Sequence, residues 1–226
     1  MARATKEQSE ITGRRILEVA SALFADRGYA AVGLTEVATL AEVTRGAIYH
    51  HYASKQGLFQ AVTAAAQQRV ADEVERAADS CPDDWQGLLA GCRAFLSAAV
   101  ADRNRRILLI DAPAVLDWTT WRAQDGAASG RHLVEALTTL SADGVLRVRS
   151  IESTAALLSG AMNEAALHIA TAPDPGVTLD EVVDDLSRML GALRSSPVED
   201  EVSGSVQDLG SGAVSVVGGQ EVVADQ

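Results

Sequence analysis

Between residues 35 and 59 the chain runs TEVATLAEVTRGAIYHHYASKQGLF, and this stretch constrains the fold more tightly than any other. Two helix starts lie close together within it. Thr35 offers an N-cap hydroxyl to a helix ending near Ala41, with Val37, Ala38 and Leu40 as its apolar positions. Thr44 offers a second cap, to a helix of about two turns that carries Arg45, Gly46, Ala47, Ile48, Tyr49, His50 and His51. Glu42 and Val43 are left to make the turn. Helices joined so tightly cross near a right angle, which asks for a small residue at the crossing and apolar residues after the turn. Ala38, Val43 and Ile48 supply them.

With that inner side occupied, Arg45, Tyr49 and His50 face outward from the second helix. A guanidinium fork, a phenol and an imidazole can reach base edges in a major groove and phosphate oxygens along its walls. The segment VTRGAIYHHYASKQGLF resembles the recognition-helix signature of the TetR/AcrR family of bacterial transcriptional regulators. The resemblance rests on Val43, Thr44, Arg45, Gly46, Ala47, Ile48, Tyr49, His50, His51, Tyr52, Lys55 and Leu58. It implies an all-α protein with an N-terminal helix-turn-helix domain and a helical ligand-binding and dimerisation domain. It also implies a ligand-responsive transcriptional regulator, a repressor more readily than an activator although both can share this head, that binds a palindromic operator as a homodimer. The DNA-binding set carried over is Thr35, Thr44, Arg45, Gly46, Ala47, Tyr49, His50 and Lys55. Arg45, with Thr44 and Tyr49, would face bases, while Thr35, His50 and Lys55 would hold phosphates. One position departs from the pattern: the turn residue before the valine, usually glycine because the backbone there takes positive φ, is Glu42. Strain of about 1 kcal/mol is expected there.

A net charge of -12 would repel DNA if it were evenly spread. It is not. Residues 1–60 carry seven Lys or Arg against six acids, and the remainder carries 12 against 25, so the whole acid excess lies outside the reading head. A mildly positive end on an acidic body suits specific, salt-sensitive binding. No run of 18 apolar residues suggests a membrane span, and MARATKEQSE lacks the apolar core of a signal peptide, so a cytoplasmic protein with no membrane partner is expected. Cys81 and Cys92 are expected to be free thiols.

The rest of the chain is patterned as helices. One is expected over residues 6–27, opened by Thr5 and Gln8 as a capping box and stopped by Gly28, with Ile16, Val19, Ala20, Leu23 and Phe24 on its inner face. Ser54 caps another over about 55–78, and Lys55 in its first turn would hold a phosphate together with the helix end. Asp83 and Asp84 open a helix to Val100; a short apolar helix follows at 107–110, and Pro113 is expected to break the chain before a helix bearing Trp118 and Trp121. Helices are expected at 128–142, 151–172 and 178–193, and 197–226 is expected to be a disordered tail. The domain boundaries are therefore 1–54 for the helix-turn-helix head, 55–196 for the helical body and 197–226 for the tail.

In the resembled family the body binds a small molecule between its middle helices and the last two long helices pair with a second subunit. On that basis Phe95, Trp118, Trp121, Met162, Asn163 and His168 are candidates to line an effector pocket. Leu157, Leu158, Ala161, Ala165 and Ile169 are candidates for helix contact between subunits. Two other classes compete: a helical protein-binding adaptor, in which the helix-turn-helix is only a packing unit, and an enzyme. The outward cluster of Arg45, Tyr49, His50 and Lys55 argues against the first. The lack of a nucleophile with a base, a metal-ligand cluster or a phosphate-cradling glycine loop argues against the second, and no cofactor or metal is expected.

Overall fold

The computed structural model describes residues 2–195. Among these, eleven α-helices follow one another with one π-helical turn, and the only strand-like feature is a lone antiparallel bridge between Leu146 and Arg194. The all-α expectation is met. The expected tail at 197–226 lies outside the described residues.

Helix α1 spans Ala2–Arg27, so it starts before the expected capping box. It stops at Gly28, whose φ of 82° is open to glycine at little cost, and the Gly28 N–H returns to the Phe24 carbonyl at 2.9 Å. Helix α2 is Leu34–Leu40 and α3 is Arg45–Tyr52. Thr35 is not the N-cap of α2: Gly33 holds that place without a side-chain bond, and Thr35 lies in the first turn. Thr44 caps α3, its hydroxyl accepting the Ala47 N–H at 3.1 Å, and Ser54 caps α4 (Lys55–Asp79), accepting the Gly57 N–H at 2.9 Å.

A first hydrophobic cluster joins Ile16, Ala20 and Phe24 of α1 to Val37 and Ala38 of α2, Ile48 of α3, and Leu58, Phe59 and Val62 of α4. Leu40, expected on the inner side, is instead exposed, and Ala41 takes the buried place. The cluster crosses the expected 54/55 boundary without a seam. It also takes in Ile107, Leu108 and Ala112, from the π-helical turn Arg106–Asp111 and the short helix α7, Ala112–Val115. Asp111 fastens this contact, its carboxylate accepting the Tyr29 N–H at 2.7 Å just beyond the end of α1.

Helix α5, Asp84–Val100, is capped by Asp83, and Asp102–Arg105 forms the single turn α6. The segment expected as a short α-helix at 107–110 is the π-turn. Pro113 does not break the chain, because it sits in the first turn of α7, where the missing N–H costs nothing. The break falls at Leu116, which is extended, and Asp117 then caps α8, Trp118–Ala127. Helices α9 (Ser129–Ala142), α10 (Ile151–Thr171) and α11 (Pro175–Gly191) complete the body. Its core is a second cluster that includes Leu96, Leu137, Leu140, Leu158, Ile169 and Leu190.

Candidate nucleic-acid interface and body cavity

The turn between α2 and α3 is closed by backbone bonds from Val43 N–H to the Ala38 carbonyl, 2.9 Å, and from Glu42 N–H to the Thr39 carbonyl, 3.1 Å. Glu42 takes φ 52°, as the position demands, although it carries a side chain. Its carboxylate, though exposed, is not unpaired: it meets the Arg15 guanidinium of α1. Arg27 is likewise held, by Glu36 at 2.6 Å.

On α3, Ile48 is fully buried and locks the helix by its inner face. Arg45, Gly46, Tyr49 and His50 are exposed, Ala47 is half-buried, and Thr44 is exposed at the cap. Among the described residues no side-chain hydrogen bond or ion pair engages Arg45 or Tyr49, and His50 meets only the ring of His51, centroid to centroid 5.4 Å. Thr35 is exposed on the first turn of α2. Lys55 stands apart from these. It is half-buried, with Nζ 4.3 Å above the Tyr29 ring and 3.5 Å from the Ala30 carbonyl, so its ammonium already has partners within the chain.

No sequence pattern announces the corner after α3. Ala53 has φ 62° and ψ -37°, and the Ser54 N–H reaches the Tyr52 carbonyl at 2.6 Å, which makes a γ-turn of the rare positive-φ form. The same carbonyl lies 2.1 Å from where a β-carbon on Gly57 would sit. Glycine is therefore required at 57 for α4 to begin so close to α3. Tyr52 anchors the other side through its hydroxyl, which donates to the Gly13 carbonyl at 2.7 Å.

A cavity of about 380 Å³ lies in the body between α4, α5, α8, α9 and α10. Phe95 and Met162 are among the residues that line it. Trp121 and Asn163 instead border a small neighbouring void of about 20 Å³, which shares Phe95 and Asp125 with the larger space. His168 is in neither: it is exposed near the end of α10, because that position faces away from the body. The side chain of Trp118 lies outside the described ones. Missing from the expected set was Asp125, 6% exposed, whose Oδ2 accepts from Arg122 at 2.9 Å and from the Ser159 hydroxyl at 3.3 Å. Burial raises its pKa, against opposing pulls from Arg122, Ser159 and Asn163. No single-sequence signal marks a lone aspartate in the middle of a helix as buried. Cys92 also lines the cavity, and burial pushes its thiol up to about 12, far from a reactive thiolate.

Residues 16–62 match the family model for bacterial regulatory proteins of the tetR family, and residues 85–193 match that for the Tetracyclin repressor-like C-terminal domain. The solved structure of a TetR-family transcriptional regulator from Pectobacterium atrosepticum is 33% identical; its match covers 84% of this chain and 98% of that one, with a TM-score of 0.69. The chain belongs to the TetR family. Among curated relatives, the HTH-type transcriptional regulator AcrR of Shigella flexneri is 34% identical over 110 residues, 48% of this chain and 51% of that protein. The HTH-type transcriptional regulator TtgR of Pseudomonas putida is 47% identical over 62 residues, 27% of this chain and 30% of its own length. The chain thus spans about half or less of the length of these curated relatives. Membership in a family of DNA-binding regulators removes the ground for treating the helix-turn-helix as a packing unit alone. Among the described residues no helix is long and apolar enough to cross a membrane.

Proposed function

We propose that this TetR-family chain is a ligand-responsive repressor that acts in the cytoplasm and binds a palindromic operator as a homodimer, with α3 in the major groove. The observation that carries the reading is the state of α3: it is fixed by the buried Ile48 and the Thr44 cap, while Arg45 and Tyr49 stand exposed with no work to do inside the fold. In this reading Arg45, with Thr44 and Tyr49, meets base edges; Thr35 and His50 meet phosphates, and Gly46 and Ala47 let the backbone approach the groove. Lys55 joins them by exchanging its Ala30 contact for a phosphate. The second subunit is drawn to the outward face of α10 and α11, where Leu157 is 76% exposed, Met189 59% and Val177 55%.

The experiment is a fluorescence-anisotropy titration of the full chain on the DNA upstream of its own coding region, with random DNA as competitor and at two salt concentrations. Specific binding that weakens with salt supports the reading, as does a loss of roughly tenfold to a hundredfold in Arg45→Ala, the range of one bidentate base contact. An Arg45→Ala protein that binds every DNA as well as the parent does would overturn the assigned interface.

A further inference from the structure

The small void beside the main cavity has a composition that selects for one kind of ligand end. Gln67 of α4 is 6% exposed and lines this void, and its buried Oε1 has no hydrogen-bond partner among the described residues. A buried carbonyl left unpaired is costly, so the place calls for a donor. Asp125 borders the same space, and Phe95 and Trp121 add aromatic rings. A carbonyl acceptor, a carboxylate and two π-systems around about 20 Å³ suit a group of the size of one water molecule that carries N–H donors and positive charge. The larger cavity lies beside it, with Phe95, Asp125 and Ser129 lining both, and its inner wall, with Val74, Leu88, Leu133 and Met162, is apolar. Its rim carries Glu75, Asp79, Asp84 and Glu135 against Arg131 and His132, an excess of negative charge that draws cations toward the opening.

We propose that the effector is an organic cation: an apolar body seated in the larger cavity, ending in a protonated primary amine that donates to Gln67 Oε1 and to Asp125. This rests on the ligand-responsive reading above and specifies the ligand class for it. The Arg122 contact to Asp125 Oδ2 stays in place and keeps that carboxylate oriented.

The test uses three probes with one body and different ends: 4-phenylbutylamine, 4-phenylbutanol and 4-phenylbutyrate, titrated calorimetrically into the full chain at neutral pH. The amine is expected to bind about tenfold or more tightly than the alcohol, and the acid most weakly, since a desolvated cation-π and charge-assisted contact supplies that much discrimination. Gln67→Leu and Asp125→Asn should each weaken the amine several-fold more than the alcohol, with Asp125→Asn, which removes the charge, leaving the alcohol nearly unchanged. Thermal melts establish that each variant is folded. If Asp125→Asn does not fold, Gln67→Leu and the exposed rim variant Glu75→Gln with Asp79→Asn carry the test, the rim variant lowering amine affinity alone. Equal or tighter binding of the alcohol or the acid, binding of none of the three, or an amine preference untouched by Gln67→Leu overturns the proposal. A parallel arm adds the amine to the preformed DNA complex. Calorimetric binding with no release of DNA supports the cation site and sinks only the regulatory reading on which it was built.

Discussion

Asp125 shows how one buried side chain carries a chemical signature through the whole body. Because burial raises its pKa, the folded chain takes up a proton there more readily than the unfolded chain does. The sign of the linkage follows: this residue favours folding at acidic pH, and the benefit is lost as pH rises through the folded pKa. In melting experiments carried from neutral pH down toward the ordinary carboxylate range, the parent protein should gain stability relative to Asp125→Asn as the pH falls, and an unchanged difference would refute that origin. Asp117 and Glu152, whose pKa values are lowered, by a side-chain bond from Thr120 and by the Glu152 backbone N–H respectively, act in the opposite direction and are untouched by this substitution. Arg45 has a different character. Its charge is not spent inside the fold, so replacing it should leave stability within about 0.5 kcal/mol of the parent in thermal melts while DNA affinity falls.

At the scale of elements, the corner from α3 to α4 decides how the recognition helix is presented. Three features meet there: the γ-turn at Ala53, the Ser54 cap and the bare α-carbon of Gly57 against the Tyr52 carbonyl. A methyl at 57 would stand 2.1 Å from a backbone oxygen that cannot rotate away. Gly57→Ala is therefore expected to lose about 3 kcal/mol or more, or to unseat α3, seen as a lower melting temperature together with weaker DNA binding. Ala53→Gly runs the other way. Releasing the positive-φ strain should stabilise the chain by about 1 kcal/mol, or roughly 2–4 °C for a protein of this size. Should α3 gain freedom with that release, DNA affinity falls even as stability rises.

For the molecule as a whole, the two hydrophobic clusters share Phe95 and Leu109, which pack against both. The same π-turn that carries Leu109 borders the small void and, through Asp111, holds the backbone after α1. Cavity and head are thus linked by packed side chains and one carboxylate bond, the contiguous path along which the proposed ligand response would have to act. The outward apolar face of α10 and α11 predicts self-association. Leu157→Glu, at a site open to solvent in the single chain, should leave folding intact and shift the protein toward monomer in sedimentation experiments, with operator affinity falling in step because two heads no longer bind together.

Local signals in the sequence suffice for much of this. Caps at Thr44, Ser54 and Asp83, the stop at Gly28 and the apolar periodicity of α1 and α4 are properties of neighbouring residues, and by themselves they determine these helices and the outward set Thr44, Arg45, Tyr49 and His50. Elsewhere the pattern stays ambiguous until the elements pack. Helix α10 is apolar enough on two sides that only docking against α5 and α9 turns Leu158 and Ile169 inward and leaves Leu157, Ala161 and His168 outward. The pairing of Glu42 with Arg15, the partners of Lys55, and the meeting of Gln67 with Asp125 and Trp121 join residues far apart in the chain. Such meetings depend on where whole helices come to rest, and no spacing along the sequence encodes them.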